Sequence, residues 1–461
     1  MKIKDLLAVD FDISVLGLTD DSRNVKKGYI FFATKGFNVD HFDYIDDAIK
    51  NGAIFIVCDR EFNCKIPYLV VNDVKTVFIE CCKKFYNINL SDYKFIGITG
   101  TDGKTTTASI VYKLLNACSY IGTNGVYINN AIFDTNNTTP CISELYYYLN
   151  LIKKENCKSI SMEVSSEALL HERIKNIKFD IIAFTNITGD HFNIHESIEK
   201  YRECKFTLVN YLEENGIVFV NGDDSNCKLL KCQNMYTYGF NNDNYYVICN
   251  VKNMSNFVKF DIVEKNNKYT IISPFRGIYN IYNVALAFLI CLSFGIDCNY
   301  LIDKIKKLDY IPGRSEYLDF GQKYDIILDY AHTYNGIKNI LESVFNYKKI
   351  IVVTGCAGGR DKSKRSMIGN LIMEKATVAI FTMDDPRFEA VNDSIDDMVS
   401  NNNCDYYRIV DRKLAIKKAI DLADDSSVVL VLGKGRDKYM VIGDEKIPYS
   451  DYDTLVELFK S

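Results

Sequence analysis

From residue 94 onward the chain alternates short, unbroken apolar runs with longer amphipathic stretches, and nearly every apolar run ends in a glycine or a polar cluster. Unbroken runs of about four to eight residues suit strands buried on both faces, and the intervening stretches suit crossover helices. "KFIGITG", "SISMEV" and "DIIAFTN" read as such strands, and so do "YDIILDY", "KIIVVTG", "ATVAIFT" and "SVVLVLG" further on. Between the two sets, "FRGIYNIYNVALAFLICLSFGI" reads as a helix, and "YIPGRSEYL" interrupts with Pro312 and Gly313 at a hinge. The residues before 94 form a smaller α/β unit, with strands in "GYIFFAT", "AIFIVCD" and "YLVVND" and helices in "YIDDAIKNGA" and "TVFIECCKKFYN".

In open parallel sheets, ligands bind beyond the carboxyl ends of the strands. The polar clusters fall there: Glu163 ends one run, "ITGDH" follows another, and Asp329, "CAGGRDKSKR", "DDPR" and "KGRDKY" follow those of the last unit. One active site between two facing α/β units is the expected arrangement.

The cluster after "KFIGITG" carries the most chemistry. In "GITGTDGKTTT", Gly100, Thr101, Asp102 and Gly103 lead into Lys104, Thr105 and Thr106. The strict phosphate-loop pattern fails, because Ile98 stands where its first glycine belongs. The physics survives: two glycines permit an unusual backbone path, Lys104 can reach terminal phosphates, and a threonine hydroxyl at a helix N-terminus can meet a metal ion.

Lys205 is a second anomaly. In "ESIEKYRECKFTLVNYL" it falls on the helical stripe marked by Ile198, Tyr201, Leu208 and Leu212. A buried ammonium is costly unless paired or chemically altered. Carbon dioxide could convert it to an anionic carbamate able to hold magnesium; read from the stripe alone, snorkelling to water is the simpler arrangement. Glu163 and His191 each follow a strand and offer an oxygen and a nitrogen of the kind metal sites use.

Composition removes other classes. A net charge of -5 gives no bulk basic field for nucleic acid or anionic membrane. No window offers the roughly 18 apolar residues of a membrane span, and the start carries no leader pattern, so a cytoplasmic protein is expected. The 15 cysteines are scattered, without Cys-x-x-Cys, and read as reduced, packed thiols.

Taken together, "GITGTDGKTT", "NNTTP", "MEVSSEALLHERI", "TNITGDHFNIHESIEKYRECK", "GIYNIYN", "IPGRSE", "DYAHT", "GGRDKSKR", "DDPR" and "GKGRDKY" resemble the Mur ligases, most closely the tripeptide-forming MurE type, over nearly the whole chain. The resemblance implies an α/β protein of three domains: residues 1–93 binding UDP, a central ATPase domain with a phosphate-loop parallel sheet at 94–312, and a Rossmann-like amino-acid domain at 313–461. It implies ATP-driven joining of a diamino acid to UDP-N-acetylmuramoyl-L-alanyl-D-glutamate through an acyl phosphate, with magnesium and a carbamylated Lys205, in a monomer.

Residue by residue, the resemblance assigns Lys104 and Thr105 to phosphate and magnesium, and Glu163, His191 and Lys205 to a second metal. Asn280 and Asn283 match the adenine motif, Arg314 a nucleotide-contacting arginine, Asp329 the ribose-side acid, and His332 lies beside it. Ser22 matches the uridine region, and Asn137, Thr138, Thr139, Ser165 and Arg173 match the cradle of the UDP-dipeptide. Amine selection falls to Arg360, Asp384, Asp385, Arg387, Gly433 and Asp437. Here "DDPR" departs from the Asp-Asn-Pro-Arg loop of diaminopimelate-type members. Arg387 suits the distal carboxylate of meso-diaminopimelate, whereas the extra charge of Asp385 suits a lysine ammonium; diaminopimelate ranks first and lysine close behind. Further departures, among them Glu167, His171 and Arg436, leave open a paralogue acting on a related peptide. A folylpolyglutamate-type ligase and a nucleotide-binding module without catalysis are the other readings.

Overall fold

The computed structural model describes residues 1–36, 39–189, 195–254, 256–400 and 404–460. Among these residues the strands form four sheets.

The largest sheet has its centre where the apolar runs predicted it. Seven strands run parallel, in the order Tyr246–Asn253, Met235–Gly239, Leu212–Asn221, Phe179–Phe184, Lys94–Thr99, Ser159–Glu163 and Cys118–Gly122. Both edges depart from the simple parallel pattern. Hairpins add Gly125–Ile128 and Ala131–Phe133 on one side, and Val258–Glu264 and Asn267–Ser273 on the other, all antiparallel. Short turns suffice for antiparallel neighbours, whereas each parallel pair needs a crossover.

Alternation along Lys94–Thr99 divides the core. Phe95 enters one apolar layer, while Ile96 and Ile98 enter another with the helices Lys104–Leu114 and Ile278–Ser293. The predicted long helix thus exists, and it is buried on nearly all sides. The Lys205 helix differs from expectation. It spans Ile198–Phe206, Leu208 lies in a following 3₁₀ turn, and Leu212 already begins a strand. Tyr201 and Lys205 are its buried residues.

Residues 1–93 carry a four-stranded parallel sheet, Gly17–Thr19, Tyr29–Phe32, Ala53–Cys58 and Tyr68–Val70. Beyond residue 313 a six-stranded sheet runs Glu316–Leu318, Asp325–Asp329, Ser427–Leu432, Lys349–Thr354, Val378–Phe381 and Tyr407–Arg408, parallel except at its first strand. At the predicted hinge Gly313 has φ +67°, a left-handed conformation suited to glycine. Arg436, a departure from the family pattern, serves the fold: it pairs with fully buried Glu316 and lies over the Tyr452 ring. Among the described residues no helix is long and apolar enough to cross a membrane.

Candidate active site

Parallel register brings the first elements of the site together. Ile98 pairs with Glu163 across adjacent strands and Thr99 pairs with Phe184, so the loop at 100–103 emerges beside the Glu163 carboxylate. The loop is closely bounded. Gly100 has φ +149°, and a side chain there would collide with Thr185 Oγ1; Gly103 has φ +83°, and a side chain there would meet Asn283 Oδ1. These two glycines are the positions where the bent path forbids a Cβ, as the sequence suggested.

Lys104 opens the helix Lys104–Leu114, and its ammonium donates to the carbonyls of Gly100 at 2.9 Å and Thr101 at 2.8 Å. Lys205, only 1% exposed, also donates to Gly100 O, at 2.9 Å, and lies over the Tyr201 ring at 4.6 Å. Snorkelling is therefore not its arrangement: the ammonium turns inward to the phosphate loop. Two cations meeting at one carbonyl beside a helix N-terminus make a concentrated positive field, which favours a polyphosphate.

Glu163 is fully buried. Its carboxylate accepts from Thr105 Oγ1 at 2.9 Å, Tyr120 Oη at 2.5 Å, and the Thr123 amide and hydroxyl at 2.9 and 3.2 Å. Burial, with the neighbouring carboxylate, pushes the Tyr120 phenol well above its ordinary range, so it remains a donor. Tyr120 and Thr123 escaped the sequence reading, because an aromatic within "CSYIG" looks like core and nothing local ties it to Glu163. His191 lies outside the described residues. Among the described residues no group of three or more His, Cys, Asp and Glu is arranged to hold a metal ion.

The C-terminal sheet closes over this loop. Arg314 Nη2 donates to Thr105 Oγ1 at 2.8 Å, its guanidinium lies over the Tyr330 ring, and its buried Nε has no hydrogen-bond partner. Thr333, another residue the sequence reading missed, donates to both Asp102 oxygens at 3.2 and 3.3 Å. Asp329 accepts the Ser315 and Ala331 amides, both at 2.6 Å, and burial raises its carboxyl above the ordinary range. His332 is exposed, with one ring nitrogen 2.8 Å from Tyr330 O. Asn280 and Asn283 are buried and bonded to each other behind Gly103, and Thr107 donates to Asn283. Thr106 is buried in the first turn of the helix.

A separate cavity of about 1030 Å³ opens between the N-terminal and central sheets, and Ser22, Asn137 and Arg173 line it together with Thr34, His41 and His171. Thr139 and Ser165 brace its wall: Thr139 Oγ1 donates to Glu163 O and accepts from the Ser165 amide, and Arg173 donates to Thr139 O. Thr138 meets Thr123 at 3.2 Å, which links the wall to the Glu163 network.

The residues expected to select the amine follow strands at the carboxyl edge of the C-terminal sheet; Arg360 is exposed, on a loop whose Gly358 amide donates to Asp385 O at 2.8 Å. Asp384 approaches Gly433, whose φ is +108°. Lys434, unmarked by the sequence reading, lies among Asp384, Asp385 and Asp437. Burial raises the Asp437 carboxyl, with Lys434 opposing.

Known proteins resemble the chain along nearly its whole length. Residues 14–100 match the model for the Mur ligase family catalytic domain, 98–291 the Mur ligase middle domain, and 313–435 the Mur ligase glutamate ligase domain. A UDP-N-acetylmuramoyl-L-alanyl-D-glutamate--2,6-diaminopimelate ligase of Caldanaerobacter subterraneus subsp. tengcongensis is 32% identical over 459 residues, covering 97% of this chain and 95% of that one. A solved structure of a ligase with the same name has a TM-score of 0.67 at 24% identity, covering 100% and 99% of the two chains. The MurF ligase of Thermotoga maritima in complex with ADP has a TM-score of 0.66 at 17% identity, covering 96% and 97%. With three domain matches in order and a relative aligned along almost its whole length, the chain belongs to the Mur ligase family.

Proposed function

We propose that this ligase joins meso-2,6-diaminopimelate, ahead of L-lysine, to UDP-N-acetylmuramoyl-L-alanyl-D-glutamate at the expense of ATP, acting as a cytoplasmic monomer in peptidoglycan precursor synthesis. The observation that carries the reading is the meeting of Lys104 and Lys205 at the Gly100 carbonyl, next to buried Glu163. The name of the 32% identical relative supports the substrates, and the ADP complex of the MurF neighbour supports the nucleotide.

A carboxylate is a poor acyl donor until one of its oxygens becomes a leaving group. Transfer of the ATP γ-phosphoryl to that oxygen gives an acyl phosphate and ADP. The amine nitrogen then attacks the carbonyl carbon, the tetrahedral adduct expels phosphate, and a proton leaves the nitrogen as the amide forms. Lys104, the helix N-terminus and Arg314 would hold the phosphates, so charge developing in flight meets donors already in position. The cavity at Ser22, Asn137 and Arg173 would hold the UDP end, directing the peptide carboxylate along the Thr138 wall toward Glu163.

Magnesium fits the donors present: Thr105 Oγ1 and Glu163 Oε2 are 2.9 Å apart, and the hydrogen-bond donors to Glu163 are neutral, so the buried carboxylate is suited to a hard cation. Bound magnesium would draw phosphate and carboxylate oxygens together and screen their repulsion. On losing two protons and adding carbon dioxide, the Lys205 ammonium would become an anionic carbamate, a further ligand of the same class, leaving Lys104 and the helix N-terminus as the positive charge of the loop; carbon-13 NMR with labelled bicarbonate tests this separately.

The deciding experiment incubates purified protein with ATP, magnesium and the UDP-dipeptide, adds each amine in turn, and reads phosphate release and product mass. Amine-dependent phosphate with a tripeptide product is expected, faster with diaminopimelate. Nucleotide binding without amine-dependent turnover would favour the non-catalytic alternative, and faster turnover with lysine would reverse the amine order.

A further inference from the structure

We propose that Asp385 is a positioning residue, the internal counter-ion of Lys434, and that it acts on the amine substrate only through Arg387. The inference rests on the amine site assigned above. Its starting point is the replacement of asparagine by aspartate in the Asp-Asp-Pro-Arg turn, which by charge alone argues for a lysine substrate.

The structure supplies that charge with a different partner. Lys434 Nζ is 2.7 Å from Asp385 Oδ1, against 3.4 Å from Asp437 and 3.9 Å from Asp384, and the Lys434 side chain is only 1% exposed. A buried ammonium requires anions around it, and Asp385 is the nearest. The same Oδ1 accepts the Val441 amide at 3.0 Å, so both bonds fall on one oxygen and tie the turn to the hairpin Tyr439–Ile442 and Glu445–Pro448.

That tie reaches Arg387 through the backbone. The Arg387 amide donates to Val441 O at 3.0 Å, and the Gly443 amide donates to Arg387 O at 2.8 Å. Arg387 itself has φ +52°, a left-handed conformation that an arginine keeps only where its surroundings enforce it. The guanidinium Nε is buried without a hydrogen-bond partner, and the side chain lines a cavity of about 510 Å³ with Phe388, Lys446, Asp444 and Glu389, the last already engaged by Arg365 and the Gly359 amide. The Arg387 side chain and Lys446 give this cavity a cationic lining that suits an anionic group on a ligand, while Asp385 is occupied with Lys434. The aspartate therefore leaves the site selective for a diamino acid with a distal carboxylate.

Steady-state kinetics with diaminopimelate and with lysine, at saturating ATP and UDP-dipeptide, test this in the full-length protein. In D385N, which keeps an acceptor for Val441 and with it the placement of Arg387, both kcat/KM values should stay near wild type and their ratio within about threefold; a change of the ratio beyond about tenfold means that Asp385 reads the substrate and overturns the proposal. D385A should raise the KM for diaminopimelate about tenfold, yet add less than about twofold on an R387A background, because both changes remove one function; additive losses overturn it. Amide hydrogen exchange provides a readout independent of turnover: residues 441–443 should lose protection in D385A and keep it in D385N, and unchanged protection in D385A overturns the positioning role. Wild-type protein inactive with both amines would instead remove the proposed reaction, leaving exchange to decide the role of Asp385.

Discussion

The loop at 100–103 and the Asp-Asp-Pro-Arg turn both gather charged side chains at the ends of parallel strands, yet they arrange them in different ways. In the phosphate loop, cations and hydroxyls already engage nearby acceptors: Lys104 and Lys205 the Gly100 carbonyl, Thr105 the Glu163 carboxylate. In the turn, the buried cation is paired with a carboxylate, Lys434 with Asp385, and the Arg387 side chain lines the cavity. Each region holds an arginine whose buried Nε has no partner, Arg314 at the loop and Arg387 at the turn; they differ in that the lysines of the loop rest on a backbone carbonyl, whereas the buried lysine of the turn is matched to carboxylates.

The largest effect should come from the loop. Lys104→Ala removes a donor aimed at transferring phosphate and should lower kcat by about 10³-fold; phosphate release measures it, and a loss confined to the KM for the amine would break the contrast. Arg387→Ala should act on the other side alone, raising the KM for diaminopimelate about 10- to 100-fold while that for ATP stays within about twofold, as loss of a charged hydrogen bond predicts. Equal losses for ATP and amine would show that the two regions are not separately prepared.

Smaller changes sharpen the picture. Tyr120→Phe takes one donor from the buried Glu163 carboxylate and should cost about 1–2 kcal/mol of stability, read from the denaturant midpoint; no change would mean that the Thr123 amide suffices. Thr333→Val removes the hydroxyl joining Asp102 to the C-terminal domain. It should raise the KM for ATP only about two- to fivefold, the order of one net hydrogen bond, and a larger change would make the clasp part of phosphate binding.

Much of the architecture was legible in advance because it follows from local periodicity. The strands Lys94–Thr99, Asp325–Asp329, Lys349–Thr354 and Ser427–Leu432 lie where unbroken apolar runs put them, and the Lys104 loop lies where its glycines and threonines put it. The antiparallel edges of the central sheet were not foreseen, since period alone does not say which neighbour a strand will choose. Within the site, Lys104, Glu163 and Lys205 could be named from strand ends and an apolar stripe. Tyr120, Thr123, Thr333 and Lys434 could not, because each gains its meaning from a partner at least 40 residues away in sequence.

The order of its residues determined that this chain makes parallel sheets, that a bent glycine loop ends one central strand, and that Lys205 falls in a helical segment one turn from Tyr201. Only the assembled structure decided that Lys205 turns inward to Gly100, and that Asp385 answers Lys434 before any substrate arrives. The physical reason is range: backbone preference and hydrophobic period act over a few residues, while the energy of a buried charge depends on whatever the folded chain brings within a few ångströms of it.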